Sequence, residues 1–164
     1  MMDISELIGV LKALSMATFG DEIAIFVLKS NQTPCGIAYC KPHDLIIIEQ
    51  VRLQQSLQSL MTCGWCPMRA YILLASHELR HRTQNLSKRE GLGLKYTDRM
   101  MLGLPRCEAL ENEDEEDADI ISSLCVIAYD WSKRENNAST ASLTLSGLIT
   151  IGREELLEII ASVS

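Results

Sequence analysis

The chain has 164 residues, of which 47% are apolar, 23% charged and only 5% aromatic. That supports one core built from Leu, Ile, Val, Ala and Met and asks for no second domain. A formal net charge of -7 runs against general affinity for nucleic acid or anionic membranes, both of which need a positive field. The opening Met1-Met2-Asp3-Ile4-Ser5-Glu6 is no export leader and no apolar run approaches the roughly 18 residues of a membrane span. The expectation is a soluble cytoplasmic protein, with the nucleus left open, whose six cysteines are reduced thiols or metal ligands.

In chain order, Ile4, Leu7, Ile8, Leu11 and Leu14 recur at helical spacing, with Asp3 and Glu6 forming a capping-box pattern, and predict a helix to about Met16 that stops near Gly20. Ile23–Leu28, Gly36–Tyr39 and Leu45–Ile48 are β-rich runs whose short connections predict an antiparallel meander. From Val51 the period returns to three or four through Leu53, Leu57, Leu60 and Met61. The stretch Thr62–Pro67 interrupts that helix, and Pro67 suits the first turn of another reaching about Thr83. Ser87–Arg99 is polar and glycine-dotted. Glu108–Asp119 carries eight acids and no base, which predicts a solvated linker at about 105–119. Leu124–Tyr129 and Leu143–Ile149 read as two further strands around a polar loop, Ser132–Ser139, and Leu156, Ile159, Ile160 and Val163 mark a terminal helix. The sum is a single α+β domain over 1–164, in the order α-β-β-β-α-α-β-β-α, with a mostly antiparallel sheet covered on one face by helices.

That element order resembles small acidic chaperones of type III secretion systems and, more loosely, roadblock-like adaptor domains. The resemblance implies a sheet that dimerises or receives a partner strand. No convergent set of acid, base and nucleophile stands out. The expected function is therefore a non-catalytic interaction module, adaptor or chaperone-like, with a protein partner and self-association as a homodimer.

The chemistry-bearing residues cluster in Met61–His81. Cys63-x2-Cys66 and His77-x3-His81 are the ligand set of a tetrahedral Cys2His2 zinc site. With Leu74 and Thr83 placed about where C2H2 fingers have a leucine and a linker threonine, the segment resembles a degenerate finger. The gap between its pairs is ten residues, shorter than the finger spacing. Either the helix starts later or Cys35 and Cys40 replace the histidines. A finger would bind nucleic acid through the basic stretch Arg69–Arg99, where seven bases face three acids.

His77-Glu78-Leu79-Arg80-His81 also matches the zincin pattern, in which two histidines of one helix hold zinc and the glutamate between them polarises the attacking water. This implies a zinc-dependent hydrolase, with a third ligand to be chosen among Glu90, Asp98 and Glu108. Arg80 and Arg82 are unexpected neighbours for such ligands. Finally, Cys63-Gly64-Trp65-Cys66 resembles the dithiol of thioredoxin-like oxidoreductases, although the ten residues before it carry helical rather than strand period. Cys125, inside an apolar run, reads as a core thiol and Cys107 as a surface one.

Overall fold

The computed structural model describes residues 4–29, 36–90, 108–134 and 138–163. The fold is mixed α+β: α1 (Ile4–Phe19), β1 (Ala24–Leu28), β2 (Ile37–Cys40), a 3-10 turn (Lys41–His43), β3 (Leu45–Glu49), α2 (Gln50–Thr62), α3 (Pro67–Glu90), α4 (Glu108–Arg134), α5 (Ala138–Thr150) and α6 (Arg153–Val163).

Leu7, Leu11 and Leu14 turn one stripe of α1 into the core, and the helix runs past Met16 to Phe19 before Gly20, at φ +78°, ends it. Ser15 then closes the turn into β1: its hydroxyl donates to the Asp21 carbonyl and accepts the Ile23 N–H.

The sheet corrects the expected meander. Its order is β1-β3-β2, with β1 parallel to β3 and only β2–β3 antiparallel. The tight Lys41–His43 turn, followed by Asp44 in the left-handed region, makes the β2–β3 hairpin. β1 then docks on the far edge of β3, because residues 29–44, β2 included, supply the dozen or more that a parallel connection needs. β3 lies centrally, with Ile46 and Ile48 buried.

α2 starts without a linker. Glu49, the last residue of β3, is fully buried, and its carboxylate accepts the N–H groups of Val51 and Arg52 at 3.3 and 2.8 Å. Replacing Glu49 by Ala should cost about 1–2 kcal/mol, as the loss of a helix cap does, read as a lowered urea midpoint at unchanged slope. An unchanged midpoint would show that the cap contributes nothing. Gly36 permits the crossing of β2 by α2, since a Cβ there would sit 2.6 Å from the Leu53 backbone nitrogen.

The second half of the chain departs most from expectation. Leu124–Tyr129 and Leu143–Ile149 are not strands but parts of α4 and α5. In α4, Ile121 and Cys125 are buried four residues apart while Ile127, which an alternating strand would bury with Cys125, is 54% exposed. In α5, Leu145 and Ile149 are buried at the same spacing. The β-branched residues are a weak preference that a four-residue burial period overrides. The acidic linker is likewise corrected: from Glu108 on it is the start of α4, while 105–107 lie outside the described residues. Asp114 and Asp117 are buried against Lys41 and Arg80, and the exposed Glu115 and Asp119 meet the imidazoles of α3, so their mutual repulsion is offset. Gly91–Leu94 and most of the Ser87–Arg99 stretch also lie outside the described residues, whereas α3 itself continues to Glu90.

α3 and α4 run antiparallel, fixed by pairs that march in opposite directions along the two helices: Arg69–Asp130, His77–Asp119, Arg80–Asp117 and Gln84–Asp114. Among the described residues no helix is long and apolar enough to cross a membrane.

Candidate metal centre

One helical turn separates His77 from His81, so both imidazoles leave α3 on the same side. Glu115 and Asp119, also one turn apart, meet them from α4. The His77 and His81 Nε2 atoms are 3.2 Å apart, and the Glu115 carboxylate lies 3.1 Å from the first and 3.0 Å from the second. The rings meet edge to face, 4.8 Å between centroids. His77, His81 and Glu115 thus offer three convergent ligand atoms that could hold a metal ion.

Each histidine is also held from behind. His77 Nδ1 lies 3.1 Å from Asp119 Oδ1, and His81 Nδ1 lies 2.8 Å from Gln84 Oε1. Gln84 in turn donates to the Asp117 carboxylate and the Asp114 carbonyl. Outer partners of this kind fix which nitrogen of a ligating histidine faces the ion, and removing one typically lowers metal affinity by about 10–100-fold. Asp119→Asn should show a loss of that size in competitive chelator titration. Affinity equal to wild type would exclude an orienting role for Asp119.

The electrostatics fit the geometry. Glu115 is held down to about 2, chiefly by the His81 hydrogen bond and further by His77. Burial and the neighbouring His81 lower His77. Burial also opposes charge on His81, but the Glu115, Glu78 and Gln84 contacts outweigh it and raise its pKa. Glu78, nearly buried, has its carboxyl pushed up to about 7 by burial, against the pull of His81 and the Tyr39 N–H.

Glu78 and the ligand cluster open on one cavity of about 500 Å³, between β2 (Ile37, Ala38, Tyr39), α2 (Leu53, Ser56), the Leu73–Leu74 turn of α3, and α4. Glu78 Oε2 accepts the Tyr39 N–H at 2.7 Å. Tyr39 therefore turns its backbone away from β3, and by strand alternation Ile37 does the same.

The arginines that looked out of place beside the histidines leave α3 on other faces and are buried. Arg80 grips Asp117 with two hydrogen bonds of 2.6 and 3.1 Å, and donates to the Ile149 and Ile151 carbonyls at the end of α5. Arg82 pairs with Asp21 and Asp44, tying α3 to the α1–β1 turn and to the hairpin turn. Three bases of the Arg69–Arg99 stretch, Arg69, Arg80 and Arg82, are thus engaged by acids of this same chain.

The expected ligand set Cys63, Cys66, His77 and His81 is divided. The structure joins the histidines to Glu115 and leaves both thiols exposed at the α2–α3 turn. Eleven helical positions, roughly 16 Å of rise, separate Cys66 from His77. Cys40 ends β2 opposite Leu45, and Cys35 lies outside the described residues. So does Asp98, and the Glu90 and Glu108 side chains are not described either. Cys125 is a core thiol, pushed up to about 12 by burial. Glu115 and Asp119 escaped the sequence reading because their block looked like a linker. Their four-residue spacing, the same as the His77–His81 spacing, was the available clue.

No family model matches the chain, and neither does any curated protein or solved structure.

Proposed function

We propose that this protein is a zinc-dependent hydrolase that cleaves peptide bonds. The carrying observation is the ligand geometry. Two nitrogens each about 2.05 Å from a tetrahedral zinc lie about 3.3 Å apart, and the two Nε2 atoms are already 3.2 Å apart with a carboxylate facing both. Two histidines and one glutamate are a catalytic rather than a structural donor set. Zinc bound there would polarise a substrate carbonyl and make a water acidic enough to serve as nucleophile near neutral pH. Glu78, on the same cavity wall, would be the general base and acid that holds the proton there and gives it to the leaving amine. Its low exposure, 7%, keeps bulk water from competing.

The peptide class is argued from β2. Its outer edge borders the cavity at Ile37, beside the Tyr39 N–H that Glu78 holds, and an edge of this kind aligns an extended chain as an added strand.

The test is elemental analysis of purified wild type and four variants. One zinc per chain should persist in Cys63→Ser and Glu78→Gln and be lost in His77→Ala and Glu115→Gln. Zinc lost in Cys63→Ser, or no zinc in wild type prepared without chelator, would remove the proposal. The interaction module is the second reading, favoured by β1, whose Phe26 and Val27 are 58% and 41% exposed at the opposite sheet edge. A zinc-free wild type would leave that reading standing.

A further inference from the structure

We propose that Cys63 and Cys66 form a second metal site, a two-coordinate Cu(I) site independent of the histidine cluster. Both thiols are free and exposed, on the turn that joins α2 to α3. The turn is held from both sides. The Cys63 N–H donates to the Ser59 and Leu60 carbonyls, Gly64 at φ +90° donates to Met61, and Trp65 donates to Leu60. The Cys66 carbonyl accepts the Ala70 N–H, which places Cys66 at the head of α3 ahead of Pro67. The half-buried Trp65 lies under the Arg69 guanidinium, 4.7 Å from its carbon to the ring centroid, and Arg69 is anchored to Asp130. The backbone of the turn that carries the two cysteines is therefore held by the fold before any metal arrives.

The donor set selects the ion. Thiolates favour Cu(I), zinc or iron–sulfur clusters. Structural zinc asks for four protein ligands and iron–sulfur clusters for four cysteines. Among the described residues the one group of three or more metal-ligating side chains is His77, His81 and Glu115, roughly 16 Å along α3 from Cys66. A pair of thiolates with no third partner among the described residues suits Cu(I), a soft d10 ion content with near-linear coordination. Binding is an exchange without redox change: Cu(I) displaces one proton from each thiol, and the bis-thiolate complex carries one negative charge. The N-terminus of α3 offsets that charge. An exposed site also allows Cu(I) to be received from, and passed to, another thiol by ligand exchange.

The test is an anaerobic titration of the reduced full chain with Cu(I) held by a coloured competing chelator. Wild type and His77→Ala should each withdraw one Cu(I) per chain. Cys63→Ser and Cys66→Ser should bind weaker by about two orders of magnitude, since each loses one of two ligands. Both cysteines are exposed, so the serine variants should keep the wild-type circular dichroism. X-ray absorption of the copper form should report two sulfur ligands. Equal affinity in the serine variants, loss of copper in His77→Ala, nitrogen in place of sulfur, or a Cys63–Cys66 disulfide persisting in the same reducing buffer would overturn the site.

Discussion

Glu78→Gln should retain one zinc per chain and lower kcat on an extended fluorogenic peptide by about 10²–10⁴-fold, the range that a positioned general acid–base contributes. The amide fills the same space and can still accept the Tyr39 N–H through its oxygen, so the cavity wall and the α3–β2 contact are preserved. What it cannot do is take a proton from water and return it to the leaving amine. The loss should therefore fall on kcat with KM little changed, which separates it from damage to the binding edge of β2. The comparison with His77→Ala is informative, because that variant should lose metal and activity together. Wild-type kcat in Glu78→Gln would remove the glutamate from the chemistry, whatever the metal content.

Arg80→Ala should be the most destabilising single change near the site, at about 3–5 kcal/mol, the cost of removing one partner of a buried ion pair. The side chain is 3% exposed, and its guanidinium satisfies Asp117 and two carbonyls at the end of α5 at once. Without it Asp117 is a buried carboxylate left with the Gln84 hydrogen bond and the charge of Arg153, and α3, α4 and α5 lose their common tie. Urea denaturation followed by circular dichroism measures the cost, and a change below about 1 kcal/mol, the size of an exposed pair, would show that the contact is idle. Asp117→Asn in the Arg80→Ala background should recover part of the loss, since the uncompensated charge is then gone.

The same pair sets a pH dependence. Burial pulls the Asp117 carboxyl upward, but the hydrogen bonds from Arg80 and Gln84 overcome it and hold its pKa below the ordinary 3.8. Asp21 is lowered likewise, by its hydrogen bond to Arg82. A carboxyl whose pKa falls on folding contributes stability fully above its unfolded value and loses it as the pH drops through the folded one. The contribution of these two carboxyls should thus be level from neutrality down to about pH 4 and fall below it. Asp117→Asn should be less stable at neutral pH and flatter in acid; an acid limb as steep as that of wild type would assign it to other carboxyls.

The first half of the fold was legible because its elements are local. The Leu7, Leu11, Leu14 stripe, the three apolar runs and the position of Pro67 each state their structure within a few residues. The direction of β1 was not, since parallel or antiparallel pairing is decided by which edge of β3 remains open, a matter of three-dimensional packing. The second half misled for a related reason. Val126, Ile127 and Tyr129 prefer strands taken singly, and eight acids within Glu108–Asp119 resist packing taken alone. Opposite α3, Asp114 and Asp117 become the inner side of α4 against Lys41 and Arg80, and Glu115 and Asp119 reach the two histidines.

The sequence by itself determined the α+β class, the helix carrying His77, Glu78 and His81, and the turn that carries Cys63 and Cys66, because each depends on spacing along a few turns of chain. Only the tertiary structure decided which partners complete the sites. Antiparallel packing of α3 on α4 brings Glu115 and Asp119 to histidines nearly forty residues away and turns the arginines toward other acids. The rigid length of α3 keeps the thiols apart from the histidines. Ligand sets are properties of distance in space, and a helix fixes that distance only along its own axis.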